Sequence, residues 1–180
     1  VSYGFFDELF KDGKIKVENL IIEDLGEIRE ETIKLRKHYG FTRQKILQFS
    51  IDLDNFYDRD NEDENVLIFP GNHDCNTIYG WYKTLDDEHK WKLKEFLRRN
   101  ECYDINVNIG IMQYLLKCKA KMPIIMIQDI LGLDENARIN VPGTESDKNW
   151  SWKLIDFEDF KDIFNFNTPS TVISMGVAVS

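Results

Sequence analysis

Histidine and cysteine are both scarce in this chain of 180 residues, which contains three of each. The cysteines are odd in number and form no C-x-x-C pair, so the sequence predicts neither a zinc ribbon nor a framework of disulfide bonds. A signal-peptide pattern is absent, and no apolar run is long enough to cross a bilayer. These absences favour a reducing compartment, and we expect a cytoplasmic protein.

Positively charged residues are fewer than negatively charged ones, 23 against 32. The formal net charge is −9 and the isoelectric point is about 4.9. Long-range repulsion opposes an encounter with nucleic acid or an anionic membrane, so we expect neither as a partner. A hydrophobic fraction of 42% with 12 Phe is typical of a folded globular domain, and a neutral substrate would meet no repulsion.

Four short apolar runs recur along the chain, and each ends in polar residues. They are NLIIEDLG (19–26), KILQFSI (45–51), NVLIFPGNHD (65–74) and MPIIMIQDILGL (122–133). Their continuous Ile, Leu, Val and Phe content suits strands that are buried on both faces. We therefore expect an α/β fold with these runs as strands of a parallel sheet.

Helical patterns lie between the runs. Residues 27–39 place acidic residues early and basic residues late, and Gly40 is suited to end that helix. Asp86 is a candidate cap for a helix over 86–99, and a third helix is expected over 105–118. The inward side chains should be Trp91, Leu93, Phe96 and Leu97 in the second helix and Ile109, Met112, Leu115 and Leu116 in the third. Strands that alternate with helices predict right-handed βαβ units.

Two segments depart from this pattern. Residues 52–65 are strongly acidic and are interpreted as a solvated connection on the rim of a site. Residues 165–180 lack charge and periodicity, and we assign them no role. The predicted organisation is one domain over residues 1–164 and a tail over residues 165–180.

The PGNHD run (70–74) resembles by itself the signature of calcineurin-like metallophosphoesterases, in which Asn and His bind two metal ions. Such a centre needs several further nitrogen and oxygen donors, including an upstream Asp-x-His and downstream His residues. The sequence contains no Asp-x-His upstream of this run and no Gly-His-x-His anywhere, and its one Asp-x-His, Asp87 to His89, comes after the run. A metallophosphoesterase is therefore an unfavoured alternative, and we expect no metal.

Carboxylates follow two of the predicted strands. Glu23 comes after the first apolar run, and His73 and Asp74 come after the third. Carboxylates that converge from separate strands are what glycosyl transfer requires, as an acid for the leaving oxygen and as anions for an oxocarbenium-like transition state. The alternative for Glu23 and Asp24 is a helix cap with first-turn charge.

A turn-rich segment near the end of the domain adds residues suited to sugars. ARINVPGTESDKNWSWKL (137–154) carries Asn140, Trp150 and Trp152. Aromatic faces suit the apolar C–H faces of sugar rings, and amides can pair with hydroxyl groups. The alternative is a structural turn with two core tryptophans.

Taken together and in order over residues 19–154, these blocks resemble the 4-α-glucanotransferases, also known as amylomaltases or disproportionating enzymes, of glycoside hydrolase family 77. The resemblance implies a (β/α)₈ TIM barrel in which the four runs form the second half, strands five to eight. It implies an α-1,4-glucan or maltooligosaccharide substrate and no metal or organic cofactor.

The same resemblance assigns roles residue by residue. Glu23 matches the general acid/base, and Asp74 matches the carboxylate that stabilises the transition state. His73 matches a neighbouring sugar-binding residue, and Asn140 falls in the block that lines the donor-side groove.

Three departures from the family pattern are apparent. Asn72 and Cys75 stand where the family commonly has Thr and Asn, and 52–65 lacks a Pro-His-Asn-Tyr stretch. The nucleophilic Asp of the Arg-x-Asp-His block has no counterpart in the sequence. We therefore expect the C-terminal portion of a barrel that needs its missing N-terminal half as a partner and is inactive alone. A non-catalytic glucan-binding module is the alternative.

Overall fold

A parallel sheet organises the fold, as the computed structural model of residues 3–23, 29–59, 63–102 and 104–154 shows. The strands are β1 (Ile21–Ile22), β2 (Thr42–Ile46), β3 (Ile51–Asp52), β4 (Tyr57–Asp58), β5 (Val66–Phe69) and β6 (Met122–Pro123). Four of them pair in parallel in the order β1-β2-β5-β6. The predicted α/β class with a parallel sheet is confirmed, and each of the four apolar runs contributes to that sheet.

Seven helices occur among the described residues. They are α1 (Tyr3–Phe10), α2 (Glu30–Tyr39), α3 (Leu47–Ser50), α4 (Ile78–Thr84), α5 (Asp87–Arg99), α6 (Val107–Lys117) and α7 (Ile127–Ile130), with short 3-10 turns at Val17–Asn19 and Glu135–Ala137. Gly40 ends α2 in the left-handed conformation with φ of 70°, as predicted. Asp86 caps α5 by accepting the main-chain N–H of His89 at 2.7 Å, also as predicted.

The strand predicted over 45–51 is misplaced. The strand is β2, and a helical turn, α3, follows it directly. Three polar side chains are buried in β2 because each has a partner: Thr42 donates to Asn65 at 2.9 Å, Arg43 donates to Asp63 at 3.0 Å, and Lys45 donates to Asp58 at 2.8 Å. A prediction from hydrophobicity alone therefore placed this strand at 45–51, a few residues after its actual position at Thr42–Ile46.

The core packs α5 and α6 against β5 and α4. Its buried side chains include Leu47, Ile68, Ile78, Leu93, Phe96, Leu97, Val107, Ile111 and Leu115. The predicted inward positions of Trp91 and Leu116 are wrong, since these side chains are 58% and 48% exposed. At 100° per residue, Trp91 lies about 200° from Leu93, on the other side of α5.

The acidic connection over 52–65 is not wholly solvated, contrary to prediction. Its strand β4 pairs with β3 in an antiparallel hairpin, and Asp58 is 1% exposed. That carboxylate accepts hydrogen bonds from Lys45 at 2.8 Å, from Tyr114 at 2.9 Å and from Ser50. Buried partners thus tie the hairpin to β2 and α6.

Some predictions fall on residues outside the described ranges. These include Asp24, the start of the helix predicted over 27–39, and the whole of the predicted tail 165–180. Within the described residues, no helix combines the length and the apolar character needed to span a membrane.

Candidate active site

The loop after β5 is a tight turn built around Gly71 and Asn72. A Cβ atom at position 71 would lie 2.6 Å from Nε2 of Gln48 and 2.8 Å from Cβ of Cys75, so only glycine fits. The Asn72 side-chain oxygen accepts the main-chain N–H of Asp74 at 3.0 Å, which closes an Asx turn. The turn leaves the side chain of Asp74 42% exposed at the surface of the loop.

Three of the four predicted site residues meet at this loop. Nδ2 of Asn140 donates to Oδ1 of Asp74 at 2.7 Å, and Nε2 of His73 lies 3.5 Å from the same oxygen. The main-chain N–H of Asn140 also donates to the carbonyl oxygen of His73 at 3.1 Å. Residues 66 positions apart in the chain therefore form one polar cluster.

Arg138 fastens this cluster, and the sequence analysis assigned it no role. Its Nη2 donates to the main-chain oxygen of Asp74 at 2.9 Å, and its Nε donates to the main-chain oxygen of Asn140 at 3.2 Å. The planar guanidinium group thereby holds the two segments in a fixed orientation. An arginine directly before Ile139 and Asn140 in the ARIN block was the available signal.

Trp150 presents an aromatic face beside the cluster. Its ring centroid lies 5.2 Å from that of His73, and the residue is 65% exposed. The main-chain N–H of Trp150 donates to the main-chain oxygen of Ile139 at 2.6 Å, and the φ angle of Trp150 is 61°. The alternative that Trp150 is a core residue is therefore wrong. Trp152 is partly buried and lines an open cleft of about 470 Å³ together with Tyr79.

Glu23 lies at the same edge of the sheet, at some distance from this cluster. It is exposed and follows β1 directly, and β2 lies between β1 and β5. Because all three strands are parallel, Glu23 and the loop that carries Asp74 both follow carboxyl ends at the same edge, and β1 and β5 are two strand spacings, about 10 Å, apart. Among the described residues, no hydrogen bond joins Glu23 to His73, Asp74 or Asn140.

Most of the chain matches one known protein family. Residues 3–157 match the family model described as 4-alpha-glucanotransferase, of glycoside hydrolase family 77. The chain belongs to the 4-alpha-glucanotransferase family.

Curated 4-alpha-glucanotransferases share about a third of their aligned residues with this chain. The chloroplastic/amyloplastic enzyme DPE1 of Arabidopsis thaliana is 36% identical over 163 residues, which are 89% of this chain and 27% of that protein. The enzyme of Clostridium butyricum is 36% identical over 146 residues, which are 79% of this chain and 29% of that protein. The chain thus spans little more than a quarter of the length of these relatives.

Solved amylomaltase structures match the fold. The amylomaltase from Streptococcus agalactiae in complex with acarbose has a TM-score of 0.66 and 26% identity, and the match covers 81% of this chain and 31% of that one. The amylomaltase from Corynebacterium glutamicum matches with a TM-score of 0.57 and 19% identity over 78% of this chain and 25% of that one. The α/β fold with its parallel sheet is therefore that of part of an amylomaltase.

The structure gives a physical account of one departure from the family pattern. Sγ of Cys75 donates to Oδ1 of Asn72 at 3.3 Å, the same oxygen that accepts the N–H of Asp74. Burial raises the pKa of the Cys75 thiol, which favours the neutral S–H that can donate. The 4-alpha-glucanotransferase residues that commonly stand here are thus replaced by two residues that are hydrogen-bonded to each other.

Two buried polar residues of α7 also escaped the sequence analysis. Gln128 and Asp129 are 2% and 0% exposed, although they lie within the apolar run MPIIMIQDILGL. A polar pair within an apolar run was the signal that could have found them.

Within the described residues, no three His, Cys, Asp or Glu side chains are grouped so that they could hold a metal ion.

Proposed function

We propose that this chain forms strands five to eight of a (β/α)₈ barrel and carries the acid/base part of a retaining 4-α-glucanotransferase site. The four strands of the sheet are parallel and lie side by side in the order in which they occur in the chain. This arrangement supports the placement. The match to the amylomaltase from S. agalactiae over 81% of the chain supports it further. In such barrels the chemistry lies at the carboxyl ends of the strands, where Glu23 and Asp74 are found.

Glu23 is the proposed general acid/base. As a carboxylic acid it protonates the glycosidic oxygen while the bond to the anomeric carbon breaks. As a carboxylate it then takes the proton from the 4-hydroxyl group of an acceptor glucan, whose oxygen attacks the glycosyl intermediate. Its exposure at the strand end is consistent with access to both substrates.

Asp74 is the proposed anchor of the distorted sugar. The hydrogen bond from Nδ2 of Asn140 to Oδ1 of Asp74, at 2.7 Å, is the observation that carries the proposal. This hydrogen bond orients the Asp74 carboxylate. The other carboxylate oxygen, Oδ2, can then accept a hydrogen bond from a sugar hydroxyl group. The rings of His73 and Trp150, 5.2 Å apart, offer apolar faces to the C–H groups of that sugar.

The covalent step needs a second carboxylate. Retaining transfer requires a nucleophile about 5 Å from the acid/base, and the sequence contains no Arg-x-Asp-His block to supply it. We propose that the nucleophile comes from a polypeptide segment outside these residues. The chain by itself should therefore bind glucans but not transfer them.

A chimera tests this function. In the chimera, this chain replaces the aligned segment of the S. agalactiae amylomaltase, and the product is incubated with maltotriose. We expect glucose together with longer oligosaccharides from the chimera and neither from the chain alone.

Glu23→Gln in the chimera should lower kcat about 1,000-fold because the proton transfer is lost. Glu18→Gln, which changes an exposed glutamate before the same strand, is the matched control and should leave kcat unchanged. Equal activity of the two variants would contradict the proposed role of Glu23. Glucan binding without any turnover by the chimera would favour a binding module instead.

A further inference from the structure

We propose that Gln128 and Asp129 are positioning residues that hold Asp74 and Asn140 together from the buried side of the site. This inference rests on the proposed role of Asp74 in glucan binding. It assigns a task to the polar dipeptide of α7, which the mechanism above does not use.

Asp129 fixes the end of the loop that carries Asp74. Its Oδ1 accepts the main-chain N–H of Ile78 at 2.7 Å, and both residues are fully buried. Ile78 is the first residue of α4, four positions after Asp74. Because Oδ1 of Asp129 satisfies a free N–H at the start of the helix, the loop cannot move at this end without breaking a buried hydrogen bond.

Gln128 reaches the other segment of the site. Its Nε2 lies 3.4 Å from the main-chain oxygen of Ala137, to which it donates. Ala137 directly precedes Arg138, whose guanidinium group donates to the main-chain oxygen of Asp74. Two adjacent side chains of α7 therefore contact both segments that meet at the Asp74–Asn140 hydrogen bond.

The dipeptide is itself held by the core. Nδ2 of Asn108, on α6, donates to the main-chain oxygen of Asp129 at 3.2 Å. Asn108 is only 9% exposed, so this bond anchors α7 to one of the helices that form the core. The positions of Gln128 and Asp129 are thus set by the fold and not by the loop that they support.

Asp129, which the hydrogen bond to Ile78 places beside the loop, also acts on it electrostatically. Burial is the main cause of the raised pKa of the Cys75 thiol, and the negative charges of Asp74 and Asp129 raise it further. Oδ2 of Asp129 has no hydrogen-bond partner among the described residues. An asparagine at 129 would keep the acceptor for Ile78 and remove the charge, which separates the two properties by experiment.

Amide hydrogen exchange of the full 180-residue chain, measured by NMR without glucan, tests the proposal. The reporters are the N–H of Cys75, bonded to Asn72 at 2.9 Å, and the N–H of Asn140, bonded to His73 at 3.1 Å. Asp129→Ala should accelerate exchange at both about tenfold, and Asp129→Asn should restore the parent rates. The matched control is the double variant Lys45→Met, Asp58→Leu, which removes an equally buried carboxylate without leaving a buried charge unpaired and should accelerate Arg59 instead.

The proposal is overturned if Asp129→Ala and the double variant give the same exchange pattern, or if Asp129→Asn loosens the loop. Gln128→Leu should accelerate Asn140 and spare Cys75, which keeps the test decisive if Asp129→Ala does not fold. Affinity for acarbose, measured on the same samples, should fall about tenfold in Asp129→Ala only. If the parent chain binds no acarbose, the proposed function fails, while the exchange pattern still decides the positioning role.

Discussion

A single hydrogen bond, from Asn140 to Asp74, joins two parts of the site that are far apart in the chain. The sequence predicted both residues, Asp74 because it follows an apolar run and Asn140 because it stands in the turn-rich segment that resembles the family's donor-side block. It could not show that they touch, since that contact depends on how the segment after α7 returns to the loop after β5. Arg138 was missed for the same reason, because its partners are main-chain atoms of both segments.

Replacing Asn140 by Asp should weaken glucan binding. The change puts a second carboxylate in the place of the amide that lies 2.7 Å from Oδ1 of Asp74. Repulsion between the two charges should lower acarbose affinity about tenfold at pH 7, with partial recovery near pH 4.5, where one proton can be shared. Calorimetric titration at both pH values measures this. The exposed Asn19→Asp is the control, and an equal loss in that variant would show that the effect is not local.

Asp129→Asn should change how stability depends on pH. Burial raises the pKa of Asp129 to about 7 from the ordinary value of 3.8. The folded chain therefore keeps a proton that the unfolded chain has released, so this group's contribution is complete below about pH 4 and is lost as the pH rises through 7. Between pH 5 and pH 8 the parent should lose about 3 kcal/mol of its free energy of unfolding through this group.

Urea unfolding at pH 5 and pH 8 checks this prediction, and Asp129→Asn should remove that part of the pH dependence. Asp12→Asn is a suitable control, because hydrogen bonds from Lys14 hold the pKa of Asp12 below its usual value. Asp12 therefore titrates below the range from pH 5 to pH 8. A parent and an Asp129→Asn variant with the same pH dependence would refute the argument.

At the scale of elements, helix ends were the easiest features to predict. Gly40 and Asp86 act locally, so the neighbouring residues are enough to identify them. The strand over 45–51 was wrong because its position depends on tertiary partners, whereas Trp91 was wrong because it lies on the other side of α5 from Leu93. Thr42 and Arg43 are buried in β2 only because Asn65 and Asp63 accept their hydrogen bonds.

Gly40→Ala should destabilise the chain by about 1 kcal/mol. The φ of 70° at this position is the left-handed conformation, in which a Cβ atom is strained. Gly4→Ala is the matched control, since Gly4 lies in α1 with ordinary φ and open space around it. The control should be neutral or slightly stabilising. Thermal unfolding compares the two, and equal melting temperatures would count against the capping role.

The β3–β4 hairpin should depend on the buried pair of Lys45 and Asp58. Their side chains are 3% and 0% exposed, with Nζ and Oδ2 at 2.8 Å. Asp58→Ala leaves a buried positive charge without its partner and should cost about 3–5 kcal/mol in urea unfolding. The double variant Lys45→Met, Asp58→Leu removes both charges and should recover most of this loss. A double variant as unstable as the single one would disprove the explanation by charge.

At the scale of the whole molecule, the described sheet ends in strands with exposed apolar residues. Ile21 of β1 and Met122 of β6 are 53% and 48% exposed. In the barrel that we propose, further strands would cover both edges. The family and the parallel α/β fold were predictable because the four apolar runs and the turn-rich segment over 137–154 occur in the expected order. The exact course of the 52–65 connection was not, because its anchor, Asp58, pairs with residues from β2 and α6.

The most direct test of the central claim is a crystal structure of the chimera with bound acarbose. The account predicts that the carboxylates of Glu23 and Asp74 both lie within hydrogen-bond distance, about 3 Å, of the same bound oligosaccharide. A structure in which either carboxylate lies farther from the oligosaccharide than one strand spacing, about 5 Å, would contradict it.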